Sequence, residues 1–330
     1  MLMNRKQSNG FSMVELMVAM VVGLVIISGA FSLHSTTRKT QQVSEAQMDM
    51  VADARFAIDM ISYDFRHAGV WGGTNQGGLI ECRYKGAATA SCTASSAGEQ
   101  LPIAIASDCA QGWYYNVEEP VFASNNTNPF AGTCIPAGEK YMAGTDVLQI
   151  RYAEATPPAV LLAGQAYTRS QFNGGRIFIG AQQPLLDSFD LDASNHELHA
   201  YAYYVSDFTD AVGDGIPSLR RAALINGPVI QNQTLISGVV DLQVQFGVDS
   251  NGPDAAGNLA VDSYVNPSAA LDPTTVIAAK IWLLLRTDDK QNITKAKTYT
   301  LAGTDVTKGG DGFRYFMVSS VVNLRNLKQF

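Results

Sequence analysis

Glu15 is the residue whose chemistry most needs an explanation. It is the only charged residue in the apolar stretch 11–33. An acidic side chain deep in a bilayer costs about 2.5 to 3.5 kcal/mol, so it needs a partner or a place near the interface. A cut after Gly10 would free the α-amine of Phe11, one helical turn away, which would attract this carboxylate. Such a cut leaves the apolar stretch in the mature chain, unlike the cut of a secretory signal peptide.

The other candidates for metal chemistry have incomplete patterns. His196 and His199 could share zinc on a helix, but their segment reads as a strand, where a spacing of three puts the rings on opposite faces. Two acidic segments, one that ends at Asp214 and one that begins at Asp249, space their side-chain oxygens in the way that calcium ligands are spaced. Neither has the glutamate that completes an EF-hand, and Asp, Asn and Gly also favour turns. We expect no cofactor, with calcium as the open alternative.

The sequence contains no familiar catalytic motif, neither a G-x-S-x-G elbow, a P-loop nor H-E-x-x-H. Removing residues 1–10 leaves 21 basic and 30 acidic residues, a formal charge of −9 with neutral histidines. Binding of nucleic acid depends on clustered Lys and Arg, so the Arg220 and Arg221 pair is a poor basis for it. The sequence predicts a non-enzymatic chain, with DNA binding conceivable but unsupported by charge.

The four cysteines, Cys82, Cys92, Cys109 and Cys134, form no C-x-x-C pair. An even count in an exported segment predicts two disulfides, for which three connectivities exist. We favour Cys82 with Cys92 and Cys109 with Cys134, because sequential pairs would staple the local Gly- and Ser-rich loops.

Residues 11–33 are 23 in number, enough at 1.5 Å each to cross a hydrocarbon core of about 30 Å. Arg5 and Lys6 precede this span, so the positive-inside rule leaves the leader in the cytoplasm and exports the rest. Ala19 and Gly23 form a small-xxx-small spacing that lets helices approach closely in lipid. The span therefore predicts helix-to-helix assembly.

An amphipathic helix is predicted to continue over residues 34–68, because apolar residues recur there every three or four positions. Its polar positions, Asp64 among them, are expected to face solvent or other subunits. Gly69 provides the stop. The stripe comprises Val43, Ala46, Met50, Ala54, Ala57, Ile58, Ile61, Phe65 and Ala68.

Residues 69–330 read as a globular domain of mainly antiparallel strands, which makes the fold class α+β. The continuously apolar residues 281–285 predict a central strand buried on both faces. Gly-, Asn-, Ser- and Pro-rich stretches between strands predict long loops. The predicted strands are 79–84, 113–122, 147–153, 176–179, 198–205, 239–248, 277–286 and 313–324.

The segment G-F-S-M-V-E-L from Gly10 resembles the processing site of type IV pilins and pseudopilins. The resemblance implies that a prepilin peptidase cuts after Gly10 and methylates Phe11. It also implies that Glu15 meets the N-terminal amine of a neighbouring subunit during assembly. The chain would then consist of a leader (1–10), a membrane-spanning polymerisation helix (11–33), an amphipathic extension (34–68) and a periplasmic β-rich domain (69–330).

Four further segments resemble the PilW family of minor pilins: RFAIDMISYDFRHAGVWG from Arg55, DGIPSLRR from Asp214, GVVDLQVQFGVDSNG from Gly238 and FRYFMVSSVVNLRNL from Phe313. The resemblance implies a pilin-like fold, a place in the inner membrane and the pilus, and partners among other minor pilins, the major pilin and the inner-membrane assembly platform. It also implies a part in priming pilus assembly, in the tip complex, and in twitching motility, adhesion or DNA uptake. The alternatives are a GspJ-like pseudopilin of type II secretion and, from another class, a membrane-tethered periplasmic enzyme.

Overall fold

The structure, a computed structural model, describes residues 10, 12–81, 105–172, 174–181, 183, 192–253, 258–291 and 293–327. These residues form one long helix followed by a domain of mostly antiparallel strands, as the sequence predicts for an α+β, pilin-like fold. The chain divides into two compact units, with the boundary after Asp49.

Helix α1 runs from Met13 to His67. It stops where the sequence predicts, because Gly69 has a φ of +78°, which favours glycine. A Cβ at Gly69 would also lie 2.8 Å from Cδ2 of Leu327, so a larger residue would press on that side chain. Arg66 and His67 in the last turn lie where the helix dipole favours basic side chains.

The apolar stripe of α1 is buried from Met50 onward, which confirms the amphipathic pattern over that part of the helix. The buried stripe shares one hydrophobic core with residues of both sheets, including Leu148, Tyr203, Leu242 and Ile281. This burial holds the second half of α1, since packing of an amphipathic face supplies most of a helix's stability in a protein. The buried members are Met50, Ala54, Ala57, Ile58, Ile61, Phe65 and Ala68.

The strands follow in this order: β1 (Ile80–Glu81), β2 (Val121–Ser124), β3 (Val147–Ala153), β4 (Ala166–Gln171), β5 (Gly174–Ile179), β6 (Ser194–Ser206), β7 (Ser218–Ile225), β8 (Val229–Ser237), β9 (Val239–Val248), β10 (Ser263–Val265), β11 (Val276–Arg286), β12 (Ala296–Leu301), β13 (Thr304–Gly309) and β14 (Tyr315–Asn323).

The larger sheet has eight strands, in the order β1-β5-β4-β6-β3-β2, and β7 and β8 extend it from β6. Strand β6 pairs first with β4 and then with β7, while β3 pairs along its other edge. Successive β6 residues serve different cores: Tyr201 and Tyr203 join the core around α1, whereas Ala202 and Tyr204 join a second core on the opposite face.

The smaller sheet has the order β10-β9-β11-β14. Strand β11 lies between β9 and β14, and its residues 281–285 are buried, which confirms the predicted central strand. The hairpin β12-β13 forms a third small core with Trp282 and Leu284.

One predicted strand, 113–122, is largely wrong. Residues Trp113–Tyr115 form a 3-10 helix, and a strand begins only at Val121. The three consecutive aromatic side chains are all buried, which a tight turn allows but the alternating faces of a half-buried strand do not. Gly112, at a φ of +73°, starts this turn.

Candidate assembly site

The N-terminus of α1 is capped by side chains of its own first turn. The Ser12 N–H donates to Oε2 of Glu15 at 3.1 Å, and the Val14 N–H donates to Oγ of Ser12 at 3.3 Å. This is the reciprocal arrangement of a capping box, in which a Ser at the cap and a Glu three residues later satisfy free helix N–H groups. Glu15 thus caps its own helix in the uncleaved chain. Gly10 is exposed, whereas Phe11 lies outside the described residues.

The first part of α1 exposes its apolar side chains. The membrane-length window of this helix has no buried residue, and large side chains such as Leu16, Val25 and Phe31 are more than half exposed. By length and composition this helix can cross a membrane. Glu15 is the only charged residue along the described span 12–33.

The small residues predicted to allow helix packing lie on this exposed span. Ala19 is exposed, and a Cβ built on Gly23 would meet nothing within 4 Å. The same holds for Gly29. The surface is therefore open at these positions to a second helix, although the structure contains no second chain.

The other half of α1 carries a polar contact that the sequence did not predict. Asp64 is 3% exposed, and its Oδ1 accepts a hydrogen bond from Oη of Tyr152 at 2.8 Å, while Oδ2 accepts one from Oη of Tyr203. The prediction that Asp64 faces solvent or other subunits is wrong. Asp64 follows Ile61 by three residues, so helical spacing alone places it on the buried face.

The pKa of Asp64 depends on burial and on a nearby charge as well as on the two tyrosine hydroxyls. Burial raises the pKa of Asp64, opposed by the hydrogen bonds from Tyr203 and Tyr152 and by the charge of Arg221. The Arg221 guanidinium stacks 4.0 Å above the Tyr201 ring. Because Tyr152 lies on β3 and Tyr203 on β6, this cluster ties α1 to two neighbouring strands of the larger sheet.

His196 and His199, which could share a metal ion only on a helix, lie on strand β6 and have separate partners. Nδ1 of His196 lies 2.8 Å from the Glu154 carbonyl and Nε2 lies 2.7 Å from Oγ of Ser194, so both ring nitrogens have protein partners. His199 lies beside Oε2 of Glu154 at 3.5 Å, and burial lowers its pKa to about 4. Among the described residues, no group of three or more His, Cys, Asp or Glu side chains is arranged to hold a metal ion.

In each acidic loop one carboxylate accepts several hydrogen bonds from the loop itself. Asp214 accepts hydrogen bonds from the N–H groups of Thr209, Asp210, Ala211 and Ile216, which hold its pKa at about 2. Asp262 likewise accepts bonds from Ser250 and Asn251. These contacts fit the turn-forming interpretation of the two loops.

Cys109 and Cys134 form the predicted disulfide, with their Cα atoms 4.5 Å apart. Both residues are buried in the second core, close in sequence to Trp113 and Phe130. Cys82 and Cys92 lie outside the described residues, so their pairing stays a prediction.

The described part of the chain has a cavity of about 710 Å³ beside β2, with Phe122, Phe246, Leu271 and Leu327 in its walls. Glu118 and Glu119 line it, but no His, Cys, Lys or Arg does.

Two family models match this chain. Residues 202–326 match the model described as Type IV Pilus-assembly protein W, and residues 5–31 match the Prokaryotic N-terminal methylation motif. No curated protein and no solved structure matches the chain. The two matches confirm the resemblance to PilW-type minor pilins; the segment from Arg55 that also suggested it lies outside both matched ranges.

Proposed function

With a prepilin methylation motif at its start and a PilW domain in its C-terminal part, this chain is a type IV pilin protein of the PilW family, and we propose that it primes pilus assembly as part of a tip complex. The observation that carries this proposal is Glu15, the one charge on the otherwise apolar span 12–33 of α1, whose large side chains are exposed. A polymerising helix needs such a charge to choose its neighbour, whereas a passive anchor does not.

Glu15 would change partners during maturation. In the uncleaved chain its carboxylate accepts the N–H of Ser12. Cleavage after Gly10 would convert the Phe11 amide into a charged amine, which is a stronger partner for a carboxylate than a neutral N–H. Within lipid, the amine of a neighbouring subunit would offset the cost of burying Glu15. Methylation of Phe11 would keep that amine charged.

Ala19 and Gly23 would let the next subunit's helix approach this one. Small side chains permit close backbone contact in lipid, where packing replaces the hydrophobic effect as the driving force. The PilW domain would then supply the contacts that select this subunit's place among other minor pilins and the major pilin. The prepilin peptidase and the inner-membrane platform would act before that step, with residues 69–330 on the periplasmic side.

A matched pair of variants tests the role of Glu15. We expect Glu15→Ala to reach the membrane fraction at the normal level but to fall at least tenfold in sheared pilus fractions. Glu45→Ala is the control, because Glu45 is exposed on the same helix beyond the span and accepts a hydrogen bond from Nε2 of Gln41. Normal incorporation of Glu15→Ala would remove the proposal.

Deletion of the gene separates the pilus role from the secretion alternative. We expect loss of surface pili, and with it of twitching motility, adhesion or DNA uptake, while protein secretion continues. The reverse outcome would select the GspJ-like pseudopilin. A membrane-tethered enzyme is the weaker alternative, since the pilin domains point to a structural protein.

A further inference from the structure

Strand β14 forms one edge of the smaller sheet. Its odd- and even-numbered residues differ in whether their backbone groups bond to β11. The Thr287 N–H donates to the Arg314 carbonyl at 3.0 Å, and the Leu324 N–H donates to the Ile277 carbonyl at 2.9 Å. Both pairs continue the residue-by-residue register in which β11 pairs with β14. Antiparallel ladders alternate bonded and non-bonded pairs, so the even-numbered residues of β14 bond to β11. The N–H and C=O groups of the odd-numbered residues point away from the sheet.

The first of these outward groups has a partner, because Oη of Tyr299 donates to the Tyr315 carbonyl at 3.0 Å. The groups after it form a row without partners in the described part of the chain. No described backbone or side-chain group bonds the outward N–H and C=O of Met317, Ser319, Val321 or Asn323. The row is therefore a template on which another strand could pair.

β14 lacks the features that usually protect a sheet edge. Its nine residues, YFMVSSVVN, include no charge and no proline, and its pairing with β11 has no register shift. The other described edges are shorter or partly bridged: β10 has three residues, β2 has four, and Ala106 bridges to Val229 at the start of β8. Val321, one of the residues whose backbone groups point outward, is 51% exposed, so the edge is accessible there.

We propose that the β14 edge pairs with the β14 edge of a second copy of this chain, antiparallel and centred on Ser319. The order of residues is self-complementary in this register. Met317 lies opposite Val321 of the second copy, and Phe316 lies opposite its Val322. A two-fold interface of this kind places the central residue opposite its own copy, so an uncharged centre avoids repulsion between like charges.

Pairing would also cover apolar surface. Phe316 and Val318 are half-buried at the rim of the core around α1, and an added strand would shield them further. This inference stands on the sheet edge alone and does not depend on a role in the pilus.

Cross-linking of the full chain in detergent micelles tests the register. In Ser319→Cys, the two introduced thiols would face each other across the two-fold axis with Cα atoms about 5.5 Å apart, within disulfide range. We expect mild oxidation to give a covalent dimer at least fivefold more abundant than in Ser263→Cys, an exposed position on β10 at the opposite edge of the same sheet. The parent chain, with its native cysteines, gives the background.

Two adjacent serines provide the second test. The Ser319 N–H points outward, so Ser319→Pro should keep the monomer's melting temperature and abolish dimerisation in light scattering. The Ser320 N–H bonds to β11, so Ser320→Pro should lower the melting temperature itself. A Ser319→Cys dimer no more abundant than the Ser263→Cys dimer, a dimer that persists in Ser319→Pro, or a purely monomeric parent chain would each overturn the proposal. The last outcome would point to a different protein as the strand's partner.

Discussion

Asp64 provides the sharpest single-residue test of what holds α1 to the domain. Asp64→Ala would leave the buried hydroxyls of Tyr152 and Tyr203 without their acceptor. We expect the free energy of unfolding to fall by about 2 to 4 kcal/mol, since each unsatisfied buried donor costs about 1 to 3 kcal/mol. Denaturant titration of the full chain measures this loss. Asp59→Ala, exposed on the same helix, should change stability by less than about 0.5 kcal/mol.

Asp146 gives the protein a pH dependence of defined sign. It is fully buried and accepts the N–H groups of Asn126 and Val244, and burial raises its pKa to about 6 despite those bonds. Between the unfolded pKa near 3.8 and the folded value, the folded state holds the proton more tightly. This contribution to stability is therefore complete below about pH 4 and is lost as the pH rises through 6.

The measurement is the slope of unfolding free energy between pH 4 and 6. We expect Asp146→Asn to remove a negative contribution of at most about 1.4 kcal/mol per pH unit. Asp207→Asn, on an exposed loop, is the control variant for the substitution itself. Equal slopes in the parent chain and Asp146→Asn would contradict the shift.

At the scale of elements, the disulfide between Cys109 and Cys134 holds a loop that has little regular structure. The two cysteines are 25 residues apart, for which the chain-entropy model gives about 3 to 4 kcal/mol. We expect Cys109→Ala with Cys134→Ala to lose a comparable amount in thermal or denaturant unfolding. Replacing Cys82 and Cys92 by serine is the comparison, and peptide mass mapping without reduction tests whether those two pair.

The strands that the sequence predicted are those whose polar and apolar residues follow a simple pattern. β3 and β9 have the predicted bounds, and the apolar run in β11 marks the centre of its sheet. Strands β4 and β7 were missed because buried polar residues, such as Thr168 and Arg220, hide the pattern. Arg220 is tolerated there because it pairs with Glu139 at 2.8 Å. Such partners are distant in sequence, so no local pattern reveals them.

The candidate assembly site, unlike those strands, could be suggested from the sequence without knowledge of distant partners. Its features, a Gly–Phe junction, one Glu and an uninterrupted apolar run, are local and need no tertiary contact to be recognised. The anchoring of the same helix was only half predictable: spacing gave the buried stripe, but the pairing of Asp64 with Tyr152 and Tyr203 depends on strands more than 80 residues later.

At the scale of the whole molecule, net charge limits what the chain can bind. Without residues 1–10 its formal charge would be −9, and its adjacent arginines are both engaged, Arg220 with Glu139 and Arg221 over the Tyr201 ring. Duplex DNA is held through basic groups that displace counterions. We therefore expect fluorescence anisotropy with a 20-base-pair duplex at 150 mM salt to show no saturable binding below about 100 μM protein.

The salt dependence gives this prediction its control. Any weak attraction to phosphate should fall by no more than about fourfold between 50 and 200 mM salt, a log–log slope between zero and −1, because such binding would neutralise about one phosphate at most. Binding at micromolar concentration with a slope of several units would contradict the charge argument, and loss of that binding in Arg221→Ala would trace it to this pair. A part in DNA uptake, if this chain has one, would then rest on its direct contact with DNA, whereas the expected result would leave it without such contact.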